Sequence, residues 1–191
     1  YSNTLRKKGF IGKLFAFEPH PNTFIKLKKS ADTFSYDAIK MGMGKVAEKL
    51  MIYDYAENNG SQHASLYKDV ITDIHQSAIT EIEIELTTID EFISKNNLQQ
   101  INLLKIDTEG NELNVLLGAK QAITNNVIKF IQIEFNEMNV ISKTFMRDIK
   151  KVLPNYSFYR LLPNTLLPLD DSPTFLTELF AFQNIIAILK N

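Results

Sequence analysis

The sequence predicts an α/β domain built on a parallel sheet, and three observations carry that prediction. Short continuous apolar runs such as Leu14-Phe15-Ala16-Phe17 have the length and composition of strands buried on both faces. Stretches with helical periodicity lie between them. Acidic residues stand where the runs stop, at Glu18, Asp107 and Glu134. A chain of 191 residues, 45% hydrophobic and 23% charged, predicts one domain over residues 1–191. The 21 Lys and Arg against 22 Asp and Glu leave no basic field for nucleic acid. The absence of cysteine excludes a disulfide scaffold, a thiolate zinc site and a cysteine nucleophile. No apolar run approaches the roughly 18 residues that cross a bilayer, so neither nucleic acid nor membrane is an expected partner.

In chain order, residues 1–9 read as the end of a helix stopped by Gly9. The run 14–17 is a strand closed by Glu18-Pro19-His20-Pro21. Residues 22–30 set Phe24, Ile25 and Leu27 against Lys26, Lys28 and Lys29, an amphipathic helix with a basic face. A strand over 36–41 is broken by Gly42-Met43-Gly44. Strands come next at 49–55 and 81–88, the second with Glu81, Glu83 and Glu85 alternating onto a wet face. Between them, residues 56–65 form a polar surface loop. Then come a short helix at 90–95, a buried strand at 101–106, a helix at 111–125 and a buried strand at 128–133 ended by Glu134. A helix at 145–153 stops at Pro154. The last strands, 156–161 and 184–189, are separated by a stretch carrying Pro163, Pro168 and Pro173.

Ligands of open parallel sheets bind outside the carboxyl ends of the strands. Glu18, the 42–44 segment, Asp107 with Glu109, and Glu134 all stand at such ends and are expected on one rim. A carboxylate at the position of Glu18 accepts from both hydroxyls of a ribose in nucleotide-binding α/β units, whose Gly-rich loop lies about 20 residues earlier. Counting back from Glu18 passes Tyr1. Glu109 and Glu112 fit a helix-capping role as well as a ligand role. The set Asp107, Glu109 and Glu134 also has the chemistry of a hard-cation site. His20, His63 and His75 lack zinc-ligand spacing, and neither a nucleophile elbow nor a P-loop is present. His63, in the polar loop, has the chemistry of a general base.

Phe17-Glu18-Pro19-His20-Pro21, Leu103-Leu104-Lys105-Ile106-Asp107-Thr108-Glu109-Gly110-Asn111-Glu112 leading into Leu116-Leu117-Gly118-Ala119, Ile133-Glu134 and Asn184-Ile185-Ile186-Ala187 resemble the FkbM-type methyltransferases. Thr88-Ile89-Asp90-Glu91-Phe92 also fits, and the resemblance runs from Tyr1 to the C-terminus. It implies a cytoplasmic S-adenosylmethionine-dependent enzyme on the class I, Rossmann-like fold, with a mostly parallel sheet and an antiparallel C-terminal strand. Such enzymes methylate a hydroxyl of a sugar or polyketide-like small molecule. On that analogy Glu18 holds the cofactor ribose, and Gly42 and Met43 lie near the adenine. Asp107, Glu109 and Glu134 line the cofactor and substrate rim. Ser61 and Ser65 reach toward the acceptor, and Asp107 or His63 is the base.

The family pattern opens with a D-x-G-A-N-x-G segment on its first strand, and Tyr1-Ser2 matches the residues directly after that segment. The expectation is a domain truncated before Tyr1, whose missing central strand leaves a lane about 9–10 Å wide between the strands ending at Glu18 and Asp107. Two other readings remain open at this point. One is a metal-dependent nucleotide-sugar transferase with Asp107-Thr108-Glu109 as cation clamp. The other is a non-catalytic interaction module that retains the fold.

Overall fold

The computed structural model describes residues 1–55, 64–74, 76 and 78–190. Helix α1 (Ser2–Lys7) ends near Gly9, whose φ of +87° is the left-handed conformation that glycine adopts without strain. Strand β1 (Phe15–Phe17) leads into α2 (Pro21–Phe34). Helix α2 starts at Pro21, which suits the first helical position, and outruns the expected end at residue 30 until Ser35 turns left-handed. Strands β2 (Asp37–Ile39) and β3 (Gly42–Met43) come next, so the 42–44 segment is itself a strand rather than a break. A Cβ at Gly42 would lie 2.4 Å from Leu86 Cδ2, and its absence lets β3 approach the next strand.

Strand β4 (Glu48–Tyr55) pairs antiparallel with β5 (Ile79–Thr87), and β3 pairs parallel with β5. Between β4 and β5, Ser65 returns as a bridge to Tyr53, and a one-turn π-helix at Val70–Ile74 buries Val70 and Ile71. No element is expected there from the sequence. Helix α3 (Ile89–Lys95) is capped by Thr88, whose hydroxyl accepts the Glu91 N–H at 3.0 Å. Strand β6 (Ile101–Ile106) precedes α4 (Glu112–Leu117) and α5 (Lys120–Thr124).

The single helix expected over 111–125 is thus two. Gly118 sits at the break because a Cβ there would fall 2.0 Å from the Gly44 carbonyl oxygen. Asp90 then accepts the Gln121 and Ala122 N–H groups at 2.8 and 2.9 Å and starts α5. Strand β7 (Ile128–Phe135) runs two residues beyond the expected end, which places Glu134 inside the ladder opposite Asn184. Helices α6 (Met138–Ile141) and α7 (Met146–Val152), strands β8 (Tyr156–Leu161) and β9 (Leu166–Pro168), helix α8 (Thr174–Thr177) and strand β10 (Gln183–Leu189) complete the chain.

Among the described residues the strands form three ladders: β1-β2, β3-β5-β4 and β6-β7-β10-β8-β9. The sheet expected to be mostly parallel is mixed. Pairs β1·β2, β3·β5 and β6·β7 are parallel, and the other four are antiparallel. The expected antiparallel C-terminal strand is present as β10, between β7 and β8. One face of the five-stranded ladder carries the core, with Ile131, Ile133, Ile185 and Ala187 packed with Leu116, Ile123, Met146 and Ile149 from α4, α5 and α7. On the other face Leu103 and Phe130, paired in register, remain 40% and 42% exposed. Among the described residues, strands β1 and β6 each have one hydrogen-bonded neighbour and do not pair with each other.

Replacing Gly118 with Ala drives a methyl group into a fixed backbone carbonyl. The expected outcome is a loss of about 2–3 kcal/mol, in the range of core overpacking, read from urea unfolding midpoints.

Candidate active site

The rim is assembled by the turn after β6. Glu109 and Gly110 both adopt positive φ, at 50° and 100°, so the chain doubles back before α4. The buried Glu112 carboxylate holds this turn. Its Oε1 accepts from Thr108 N–H and Thr108 hydroxyl, both at 3.0 Å, and from Gly110 N–H at 3.2 Å. Its Oε2 accepts from Asn139 Nδ2 at 2.9 Å. Asn139 in turn accepts the Asn136 N–H, and Asn136 donates to Glu134 at 3.3 Å. One polar network therefore joins the ends of β6 and β7. Glu112 therefore does not cap α4: its carboxylate satisfies the turn that precedes the helix, and among the described residues no side chain caps the first turn of α4.

Three carboxylates are gathered around this network. Asp107 is exposed and ion-paired with Lys105. Glu109 is pushed up to about 8, first by burial and then by the charges of Asp107, Glu134 and Glu112, against a lowering pull from Lys105. Glu134 is raised to about 7, again by burial first and then by Asp107. Among the described residues, no three His, Asp or Glu side chains converge as a metal-ligand set. The cation clamp therefore gains no support from the geometry.

Glu18 stands at the end of β1, half-buried, with Oε1 accepting the His20 N–H at 2.8 Å. Burial raises its pKa, the His20 N–H opposes that, and the Asp54 charge adds to it. Asp54 also raises Tyr55, after burial, together with Glu109. Asp54 stands 3.3 Å from His20 Nε2 beside Glu18 and accepts the Tyr55 N–H at 2.8 Å, so β4 lies against the Glu18 turn. Ser65 donates its hydroxyl to the Glu109 carbonyl at 2.8 Å, so the end of the polar loop is tied directly to the β6 turn. Met43 packs in the main core, and its carbonyl accepts from Asn111 Nδ2 at 3.0 Å, which places β3 against the start of α4. Gly42 is buried beside it.

His63, Ser61 and His75 lie outside the described residues. Sequence reasoning missed Asp54 and His20, which are 0% and 1% exposed. A signal for Asp54 was available, since it shares the parity of Leu50 and Ile52 on the inward face of β4. A cleft of about 860 Å³, lined by Met41, Glu48, Thr87, Glu91 and Phe92 among others, holds none of the rim carboxylates.

Parallel and antiparallel strand pairs with helices between them, and acids at the ends of β1 and β6, make a mixed α/β fold. The family model described as the methyltransferase FkbM domain matches residues 1–159, and the chain belongs to that family. It is 26% identical over 130 residues to "Methyltransferase 1" of Beauveria bassiana, across 60% of this chain and 51% of that protein. To the 2-O-methyltransferase NoeI of Sinorhizobium fredii it is 23% identical over 163 residues, across 79% and 65%. To the hexuronic acid methyltransferase AglP of Haloferax volcanii it is 26% identical over 125 residues, across 64% and 47%. The chain thus spans about half to two thirds of the length of these curated relatives. A crystal structure of a methyltransferase FkbM from Methylobacillus flagellatus shares the fold, with a TM-score of 0.50 at 14% identity, covering 94% of this chain and 37% of that one.

Both rim acids are shifted upward, so the folded chain binds their protons more tightly than the unfolded chain does. Their contribution to stability is complete below the ordinary carboxylate value of 4.5 and is lost as pH rises through about 7 and about 8. Urea unfolding between about pH 5 and pH 8 is expected to show falling stability, with a shallower fall in Glu109→Gln.

Proposed function

We propose that this chain is the greater part of an S-adenosylmethionine-dependent O-methyltransferase acting on a hydroxyl of a sugar or polyketide-like small molecule. The observation that carries the reading is Glu18, a half-buried carboxylate closing a parallel strand, linked through His20 and Asp54 to β4, which the Ser65 bridge joins to the β6 turn. An ionised carboxylate has about four lone-pair sites, and among the described residues the His20 amide fills one of them, which leaves room for both hydroxyls of a ribose. The acceptor class is supported by family membership and by relatives named as a 2-O-methyltransferase and a hexuronic acid methyltransferase.

Bound S-adenosylmethionine supplies a methyl group on a sulfonium centre. This chain's residues supply alignment and a place for the acceptor's proton. Glu18 holds the ribose, and Gly42 and Met43 border the adenine. Asp107, its charge paired with Lys105, orients the cofactor and the acceptor together with Glu134, while Ser65 fixes the Glu109 carbonyl. Asp107 and Glu109, one on each side of the β6 turn, are the groups placed to take the acceptor's hydroxyl proton, and burial raises the proton affinity of Glu109.

The open parallel edges of β1 and β6 are read as seats for one further strand upstream of Tyr1, carrying a Gly-rich turn toward the cofactor. Calorimetric titration of S-adenosylhomocysteine tests both parts. The chain extended upstream is expected to bind at least about tenfold more tightly than residues 1–191. Glu18→Ala is expected to cost the extended chain about 10- to 100-fold, the loss of one or two hydrogen bonds to a charged group. If neither form binds, the methyl-donor reading falls and the fold-retaining interaction module replaces it.

A further inference from the structure

We propose that His20 and Asp54 form a buried positioning pair that fixes the Glu18 turn against β4 and so sets how tightly the rim holds a nucleoside sugar. The sugar-binding part rests on the methyl-donor reading above, whereas the pairing does not.

His20 is clamped on three sides. Pro19 and Pro21 restrict the backbone around it, and its N–H donates to Glu18 at 2.8 Å. Its Nδ1 accepts the Asn22 N–H at 3.1 Å and the Thr23 N–H at 3.5 Å, so the ring itself is the N-cap of α2. An accepting Nδ1 carries no proton, which leaves the ring's proton on Nε2. Nε2 is buried and stands 3.3 Å from Asp54 Oδ2, a close electrostatic contact without an aligned hydrogen bond.

Asp54 belongs to the β3-β5-β4 ladder, whereas Glu18 and His20 stand just after β1 of a different ladder. The contact therefore joins two units that share no strand pairing. A carboxylate with 0% exposure is expensive to bury, and similar burial by an apolar pair costs less, so stability gives little reason for this chemistry. Position does. Asp54 lies close enough to Glu18 to raise its proton affinity, and Oδ1 of the same carboxylate accepts the Tyr55 N–H at 2.8 Å, which anchors it in β4. The Glu18 turn is thereby tied through His20 to a residue anchored in β4, and the Asp54 charge acts on the Glu18 carboxylate across that contact.

The variants His20→Asn, Asp54→Asn and their combination test the pair in the full chain. Asn is a good N-cap, so His20→Asn preserves the start of α2 while removing the contact. Without ligand, the Glu18 carboxyl ¹³C titration midpoint is expected to fall in Asp54→Asn, and the two substitutions are expected to be non-additive in urea unfolding. With ligand, His20→Asn is expected to weaken S-adenosylhomocysteine about tenfold and to leave 2′,3′-dideoxyadenosine, which lacks the ribose hydroxyls, unchanged. An unmoved Glu18 midpoint together with additive stabilities overturns the pair. Equal losses for both ligands overturn its action through Glu18. If the unaltered chain binds no S-adenosylhomocysteine, the methyl-donor reading is what fails, and the two ligand-free measurements still decide the pairing.

Discussion

The buried carboxylate of Glu112 is the constraint on which the rim depends. Four hydrogen bonds converge on it, three from residues 108–110 and one from Asn139. The turn that it satisfies contains a non-glycine residue in the left-handed region, a conformation that costs of order 1–2 kcal/mol for an L-residue. Without an acceptor inside the turn, its inward N–H groups would have to turn to water, and the β6 end would unwind. With it, Glu109 and Glu134 are brought together in partial burial, and the Glu134 charge adds to the raised proton affinity of Glu109.

The second organising feature is that side chains, rather than ladders, hold the rim together. Among the described residues strands β1 and β6 do not pair, and β4, in a separate ladder, meets the turn after β1 and, through its Ser65 bridge, the turn after β6. Asp54 reaches His20 beside Glu18, while Ser65, bridged to Tyr53 of the same strand, reaches the Glu109 carbonyl. Two polar ties from one strand thus set the distance between the two halves of the site.

Much of the alternation was legible in the sequence, because continuous apolar runs and capped helices are local signals. Strands β1, β6, β8 and β10 and helix α3 stand within a residue or so of their expected ends. The rim was legible for the same reason, since Glu18 and Asp107 mark where apolar runs stop. Local reading could not supply the effects of distant partners. The division of the 111–125 helix comes from Gly118 meeting Gly44, far away in the chain. The antiparallel share of the sheets comes from strand order, which no run of residues encodes. The π-helical turn, α6 and β9 are each five residues or fewer, too short for periodicity to declare. His20 was read as part of a turn, although its place before Pro21 is that of a helix cap.

The five-stranded ladder has two unlike margins. On one side β9 presents exposed Leu166 and Leu167 but ends in Pro168, which has no N–H to offer a newcomer. On the other side β6 contains no proline, and its outward backbone groups can be matched by a parallel strand. Accretion of this ladder is therefore directional, blunted at the proline border and available at the β6 border.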